Sequence, residues 1–359
     1  MAYTTINKSS LHMNTKLYVG DGTSTQAITG VGFQPDWVWI KDRDASHDHY
    51  SFQSIFSTKY GVEPSDTIGE RNPTLGSFDS DGFTFASSDG FYNDNGDNYV
   101  SWNWKAGGAG SSNTDGSITT NVSANSTAGF SMLTYTGTGS NGTIGHGLGV
   151  QPKMVFIKRI DTDGTNWVVM TVGSASSSPY KIFGSYDAYL KLNNLDNLSG
   201  ALATGDNRLA TNSSTTYINI GNDSIVNNSG GRYVAYVFAE KTGYSKFGMY
   251  HNDGNANGPF CYTGFKPELV IIKSSDRSTS NWNMLDRKRP GYNVTDYRIK
   301  ISGTTEQTGN VNCIDILSNG FKIRGVDDDV NAAGAGDDYI YMAWGQSLVG
   351  SNDVPCTGF

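Results

Sequence analysis

The chain has 359 residues, a formal net charge of −8 and 17% charged residues, against about 25% in ordinary globular proteins. Its 44 glycines and 12% aromatic residues favour turns and strands over helices, and recurrent aromatic and β-branched runs argue against disorder. The densest basic run, Arg287-Lys288-Arg289, is too short to neutralise a phosphate backbone, so nucleic acid is not an expected partner.

In chain order, residues 1–14 read as a polar N-terminal arm without the apolar core of a signal peptide. Residues 15–105 form a first module. It contains Tyr18, Gly22 and the run Gly32-Phe33-Gln34-Pro35-Asp36-Trp37-Val38-Trp39-Ile40-Lys41, and it closes on Tyr99-Val100-Ser101-Trp102-Asn103-Trp104. Residues 106–117 are Gly/Ser-rich and read as a flexible connector, and 118–128 as a polar stretch with β character. A second module, 129–242, repeats the pattern with Tyr135, Gly139 and Gly149-Val150-Gln151-Pro152-Lys153-Met154-Val155-Phe156-Ile157-Lys158, closing on Tyr233 to Phe238. A third, 243–346, does so with Tyr250, Gly254 and Gly264-Phe265-Lys266-Pro267-Glu268-Leu269-Val270-Ile271-Ile272-Lys273, closing on Tyr339 to Trp344. Residues 347–359 are a tail.

The spacings Tyr18–Pro35, Tyr135–Pro152 and Tyr250–Pro267 are equal, as are those from each proline to Lys41, Lys158 and Lys273. Three gapless matches with the same residue types define an internal repeat. Proline cannot donate to a ladder, so each opens a strand or lies at its edge. The runs that follow are apolar on both faces, as in strands covered on both sides. In the first closing strand, Tyr99, Ser101 and Asn103 share one face, and Val100, Trp102 and Trp104 the other. Asp81-Gly82 and Asn319-Gly320 mark equivalent hairpin turns in modules 1 and 3, with no clear counterpart in module 2. The best helical segment, around 186–197, is short. The fold class is therefore all-β, three tandem β-sandwich modules of jelly-roll or concanavalin-like form. No run approaches the length of a membrane span. Cys261, Cys313 and Cys356 have no zinc spacing and, being odd in number, suggest no disulfide framework.

Three stretches carry a family resemblance. They are Trp102-Asn103-Trp104-Lys105-Ala106-Gly107-Gly108 with Ser111 to Ile118, Gly129-Phe130-Ser131 through Tyr135-Thr136-Gly137-Thr138-Gly139-Ser140 to Gly145-His146-Gly147-Leu148-Gly149, and Gly30-Val31-Gly32-Phe33-Gln34-Pro35-Asp36. They resemble a family of virion structural proteins of tailed phages, of marine or cyanophage type. The resemblance is strong over 17–175 and looser in the third module. It implies a protein resident in the virion, without placing it on the particle; the leading expectation is a component of the tail or its fibres that displays loops for host attachment and is made in the host cytoplasm. It further implies other virion proteins as partners, a homo-oligomer with a trimer as first expectation, and a host-surface glycan or protein as target. It supplies no catalytic residues. A capsid decoration protein is the alternative within that class, and a carbohydrate-binding or depolymerising protein the alternative outside it.

The residues themselves point away from catalysis. No Gly-x-Ser-x-Gly elbow, His-Glu-x-x-His or phosphate loop is present, and most aspartates lie beside Gly or Asn, as turn residues do. His146 sits in a Gly-rich turn and reads as a polar loop residue. Two metal sets stand out. Asp327, Asp328 and Asp329 with Asp337 and Asp338 offer oxygen ligands of the kind Ca²⁺ takes, without EF-hand spacing. His47 and His49, flanking Asp48, would face one side of an extended segment, as ligands on a trimer axis would. In each set the plainer expectation is a solvated loop. Trp167 and Trp282 follow Lys158 and Lys273 at equal spacing, which favours an inter-sheet role over a sugar-stacking one. Chain ends usually stay disordered unless tied down, and here the arm and tail are expected to be held by another chain.

Overall fold

The computed structural model describes residues 4–56, 61–71, 75–172, 189–198, 213–290, 292–309, 311–334 and 336–349. Apart from a 3₁₀ turn at Ser9–Leu11 and two single-turn helices, α1 Gly90–Asn93 and α2 Ser224–Asn227, the regular structure is strand. Module 1 contains β1 Met13–Val19, β2 Ala27–Thr29, β3 Trp37–Asp42, β4 Tyr50–Gln53, β5 Gly61–Val62, β6 Leu75–Asp79, β7 Gly82–Phe85 and β8 Asn98–Trp104. Module 2 and the segment leading into it contain β9 Ser111–Asn113, β10 Thr120–Asn125, β11 Phe130–Thr136, β12 Gly142–Gly145, β13 Met154–Arg159, β14 Val168–Thr171, β15 Leu190–Lys191, β16 Tyr217–Ile220 and β17 Arg232–Phe238. Module 3 contains β18 Ser245–His251, β19 Phe260–Tyr262, β20 Lys266–Ser274, β21 Asn283–Asp286, β22 Ile299–Lys300, β23 Ile314–Leu317, β24 Gly320–Ile323 and β25 Asp338–Gln346.

The three large sheets have one topology. Their orders are β1-β8-β3-β4-β5, then β11-β17-β13-β14-β15, then β18-β25-β20-β21-β22, and every pairing is antiparallel. The strand after each repeated proline thus lies between the closing strand and the strand that follows it in the chain. Pro35 and Pro152 stand just before their strands, whereas Pro267 lies inside β20, where a bulge between Pro267 and Leu269 absorbs the missing donor. A smaller sheet backs each large one: β2-β7-β6, β12-β16 and β19-β24-β23. The expected hairpins at Asp81-Gly82 and Asn319-Gly320 join β6 to β7 and β23 to β24.

Both faces of each large sheet are buried, as the two-sided apolar runs require, but by different partners. Outward residues such as Val38, Ile40 and Tyr99 pack under their own module's small sheet, as do Val155 and Ile157, and Val270 and Ile272. Inward residues from all three modules merge into one core. It contains Trp37, Trp39, Trp102 and Trp104 from module 1, Met154, Phe156, Tyr236 and Phe238 from module 2, and Leu269, Ile271, Met342 and Trp344 from module 3. The tilted contact of Trp37 with Tyr236, with ring centroids 4.4 Å apart, crosses from module 1 to module 2, and the edge contact of Phe238 with Trp344, at 5.6 Å, crosses from 2 to 3. Each module is thus a two-sheet β-sandwich with its own core, as expected, and the inward faces of the three large sheets in addition share one common core.

Three local expectations change. Residues 189–192 of the helical candidate belong to β15 and the turn after it, because Leu190 pairs with Val169 and fills the core; 186–188 lie outside the described residues. The connector is not wholly flexible, since Ser111–Asn113 forms β9 against β10. The arm from residue 4 onward is held by its own chain. Ile6 is buried in the common core, and the Ser9 N–H donates to Gln346 Oε1 of module 3. Most of the tail, with Cys356, lies outside the described residues.

Candidate functional site

The residues repeated in every module assemble into a cyclic set of ties between modules. Immediately before β4, β14 and β21 stand His49, Trp167 and Trp282, all buried. Trp167 Nε1 donates to the Glu63 carbonyl of module 1 at 2.9 Å, and Trp282 Nε1 to the Lys191 carbonyl of module 2 at 2.9 Å. His49 Nε2 lies 3.0 Å from the Lys300 carbonyl of module 3, and this closes the ring. The three acceptors follow or end the short strands β5, β15 and β22, so the contact is the same in each module.

The lysines repeat the theme. Lys41, Lys158 and Lys273 are buried. Lys158 Nζ donates to the carbonyls of Thr67 in module 1 and Thr165 in its own, and Lys273 Nζ to Leu195 in module 2 and Arg277 in its own. Lys41 Nζ bonds the carbonyls of Asp42 and Ala45. Burial disfavours the ammonium form, which pushes Lys158 down to about 7 and Lys41 and Lys273 to about 8, against the pull of nearby carboxylates.

The repeated tyrosines form in-register stacked pairs with the closing strands. Tyr18 lies on Tyr99, Tyr135 on Tyr233 and Tyr250 on Tyr339, with centroids 5.0–5.3 Å apart. Their hydroxyls donate into a conserved-geometry turn before each closing strand: Tyr18 Oη to the Tyr92 carbonyl, Tyr135 Oη to Val226 and Tyr250 Oη to Val330. An aspartate caps that turn each time. Asp89 accepts from the Phe91 N–H, Asp223 from Ile225 and Asp327 from Asp329. A buried asparagine four residues on, Asn93, Asn227 or Asn331, accepts from the N–H of Asp21, Thr138 or Asp253. Sequence reading missed this Asp-x-x-x-Asn element, although its spacing recurs before Tyr99, Tyr233 and Tyr339.

This placement corrects the acidic calcium set. Asp327 is the turn cap of the third copy and pairs with Arg298 at 2.8 Å. Asp329 accepts from Asn281 and lies near Arg298 and Lys300. Asp328 and Asp337 both contact Arg277, and Asp338 pairs with His251. The five carboxylates serve basic partners, not a shared centre. The histidine pair is likewise divided. His49 Nδ1 accepts from Trp39 Nε1 at 2.9 Å while Nε2 faces Lys300, so both ring nitrogens are engaged, and burial holds the imidazole well below its usual range. His47 turns to Asp42 at 3.0 Å. His146 is buried, its Nδ1 accepting from the Leu148 N–H within the turn. Of the basic run, Arg287 pairs with Glu268 and Arg289 with buried Asp286.

One unforeseen carboxylate group exists among the described residues. Oxygens of Asp48, Glu63 and Asp66 lie within 4.8 Å of one another. An all-oxygen set suits a hard cation such as Ca²⁺. Here, however, Glu63 pairs with Arg71, Asp48 accepts from Ser65 Oγ, and Asp66 from the Thr67 N–H. Burial, with Asp48 and Asp66 adding to it and Arg71 opposing it, pushes Glu63 up to about 7. These carboxylates are met by internal donors, and the fit to a cation is poor.

A cleft of about 370 Å³ opens where the edge of the module 2 sheet meets the loop after β4. Ser112, Thr119, Asn121, Thr134 and Thr136 line one wall, and Ile55, Phe56 and Ile160 contribute apolar surface. Arg232 stands at the cleft and pairs with Glu70 of module 1.

A family model described as a domain of unknown function (DUF7483) matches residues 8–347, and so takes in all three modules. No curated protein and no solved structure matches the chain.

Proposed function

The chain belongs to the DUF7483 family, and we propose that it is a non-enzymatic structural protein of a phage virion, carried on the tail or its fibres and presenting loops to a host surface. The observation that carries the reading is the use made of the repeated chemical groups. The lysines, indoles, tyrosines and capping aspartates that recur from module to module are those most able to act on a substrate. In this chain they are buried or bonded to main-chain groups, several of them in the neighbouring module. Groups committed to the frame in this way leave the loops as the parts such a body presents to a partner. The resemblance over residues 17–175 supports the placement in a virion.

Immunogold labelling of purified particles with an antibody against this chain tests the proposal. Label on the tail or fibres is expected. Label over the head would make it a decoration protein, and particles without label would remove the virion reading. Turnover of a host polysaccharide by the purified chain would replace the non-enzymatic reading with a depolymerase.

A further inference from the structure

Module 2 departs from the three-fold pattern at one edge. Its large sheet continues past β11 into β10 and β9, where the sheets of modules 1 and 3 end at β1 and β18. The frame does not need these strands, since two modules do without them. They extend the inward face of the sheet beyond the common core, and the residue types change there. Along that face, core residues Met132 and Val234 give way to Thr134 and Asn121, paired across the strands, with Ser112 opposite Asn121. Thr136 lies opposite Arg232 on the same face.

The side chains of Ser112, Thr119, Asn121, Thr134 and Thr136 make no hydrogen bond to another described residue. Five hydroxyl or amide groups thus converge on one concavity with their donors and acceptors free for a ligand. Facing them, Phe56 and Ile55 supply an apolar wall. Among the described residues lining the cleft, the one cation is Arg232, and it is paired with Glu70. Free neutral donors and acceptors opposite an aromatic and aliphatic surface match a molecule with hydroxyls on its rim and C–H groups on its faces. An anion would need a cation not already committed.

We propose that this cleft binds a neutral saccharide. The inference deepens the attachment reading and rests on it only for the claim that the saccharide is a host's. The test is a glycan array carrying neutral and acidic bacterial-surface oligosaccharides, probed with the full chain, with the double variant Asn121→Ala/Thr136→Ala, and with Thr134→Trp, which fills the cleft. Unchanged thermal melting of the double variant establishes that it folds. Binding to neutral glycans is expected, weakened about tenfold or more, about 1.4 kcal/mol, in both variants. No binding, binding to acidic glycans alone, or neutral binding that the folded double variant retains in full would overturn the proposal. A chain located on the tail that binds no glycan would lose the cleft and keep the virion reading. A chain absent from particles that binds neutral glycans would do the reverse.

Discussion

Trp167 of module 2 donates its indole N–H to the main-chain carbonyl of Glu63 in module 1, at 2.9 Å and fully out of contact with water. Replacing it with Phe keeps most of the apolar bulk and leaves that carbonyl without its donor. Trp167→Phe should therefore cost about 1–3 kcal/mol, and Trp282→Phe a similar amount through the Lys191 carbonyl. Urea unfolding at constant m-value measures both; a loss confined to one of the two would break their equivalence.

The common core predicts cooperativity. Module 2 alone, residues 129–242, would expose Phe130, Met132, Met154, Phe156, Tyr236 and Phe238, which in the whole chain face modules 1 and 3. Exposed apolar surface on that scale does not persist in a soluble monomer. The isolated segment should lack a cooperative thermal transition, while the whole chain unfolds in one step by both far-UV circular dichroism and tryptophan fluorescence. Separate transitions for the modules would contradict this.

Buried lysines give a pH signature. Lys158 titrates at about 7 when folded and at about 10.5 when unfolded. Between these values the unfolded chain holds more protons, so stability due to this group rises with pH. Relative to Lys158→Met, the parent should gain stability from pH 7 toward 10. Above that the buried tyrosines, whose ionisation is pushed up by burial, lower the stability of parent and variant alike and leave their difference unchanged.

Glu63 has the opposite sign. Its folded value of about 7 lies above the unfolded one of about 4.5, so the folded chain holds more protons and stability from this group falls as pH rises through that interval. Glu63→Gln should match the parent near pH 4 and exceed it near pH 7. A difference that stays flat across pH 4–7 would mean Arg71 compensates the charge in full.

Asp327 is assigned to capping. Asp327→Ala should lower stability by about 0.5–2 kcal/mol, to the same extent with millimolar Ca²⁺ or with a chelator. A melting temperature that Ca²⁺ raises in the parent and not in the variant would restore the calcium reading.

The repeat, the equivalence of the strands that follow each proline and the two-faced burial of β3, β13 and β20 were legible because apolar periodicity and proline position are side-chain signals; the strand order was not. Nor was the shared core. A strand buried on both faces looks alike in sequence whether its second cover is its own module's sheet or a neighbour's. The inter-module acceptors were equally silent, since the carbonyls of Glu63, Lys191 and Lys300 carry no residue preference. His49 was misread for a related reason: it occupies the position held by Trp167 and Trp282, and only the alignment of strands β4, β14 and β21 reveals this. Asp327 belonged to a recurrent turn whose neighbours, Asp328 and Asp329, disguised it as a cluster.

Three-fold closure by a single polypeptide also has a genetic consequence. In a homotrimer each substitution appears at three places at once, so any patch must be tolerated, and used, in triplicate. Here each position is encoded separately. The outward sites of β2 hold Ala27 and Thr29, while the sites in the same register of β19 hold Phe260 and Tyr262, both exposed. One third of the body can acquire a sticky face, or an extra pair of strands, while the other two stay plain, and selection can act on a single side of the molecule.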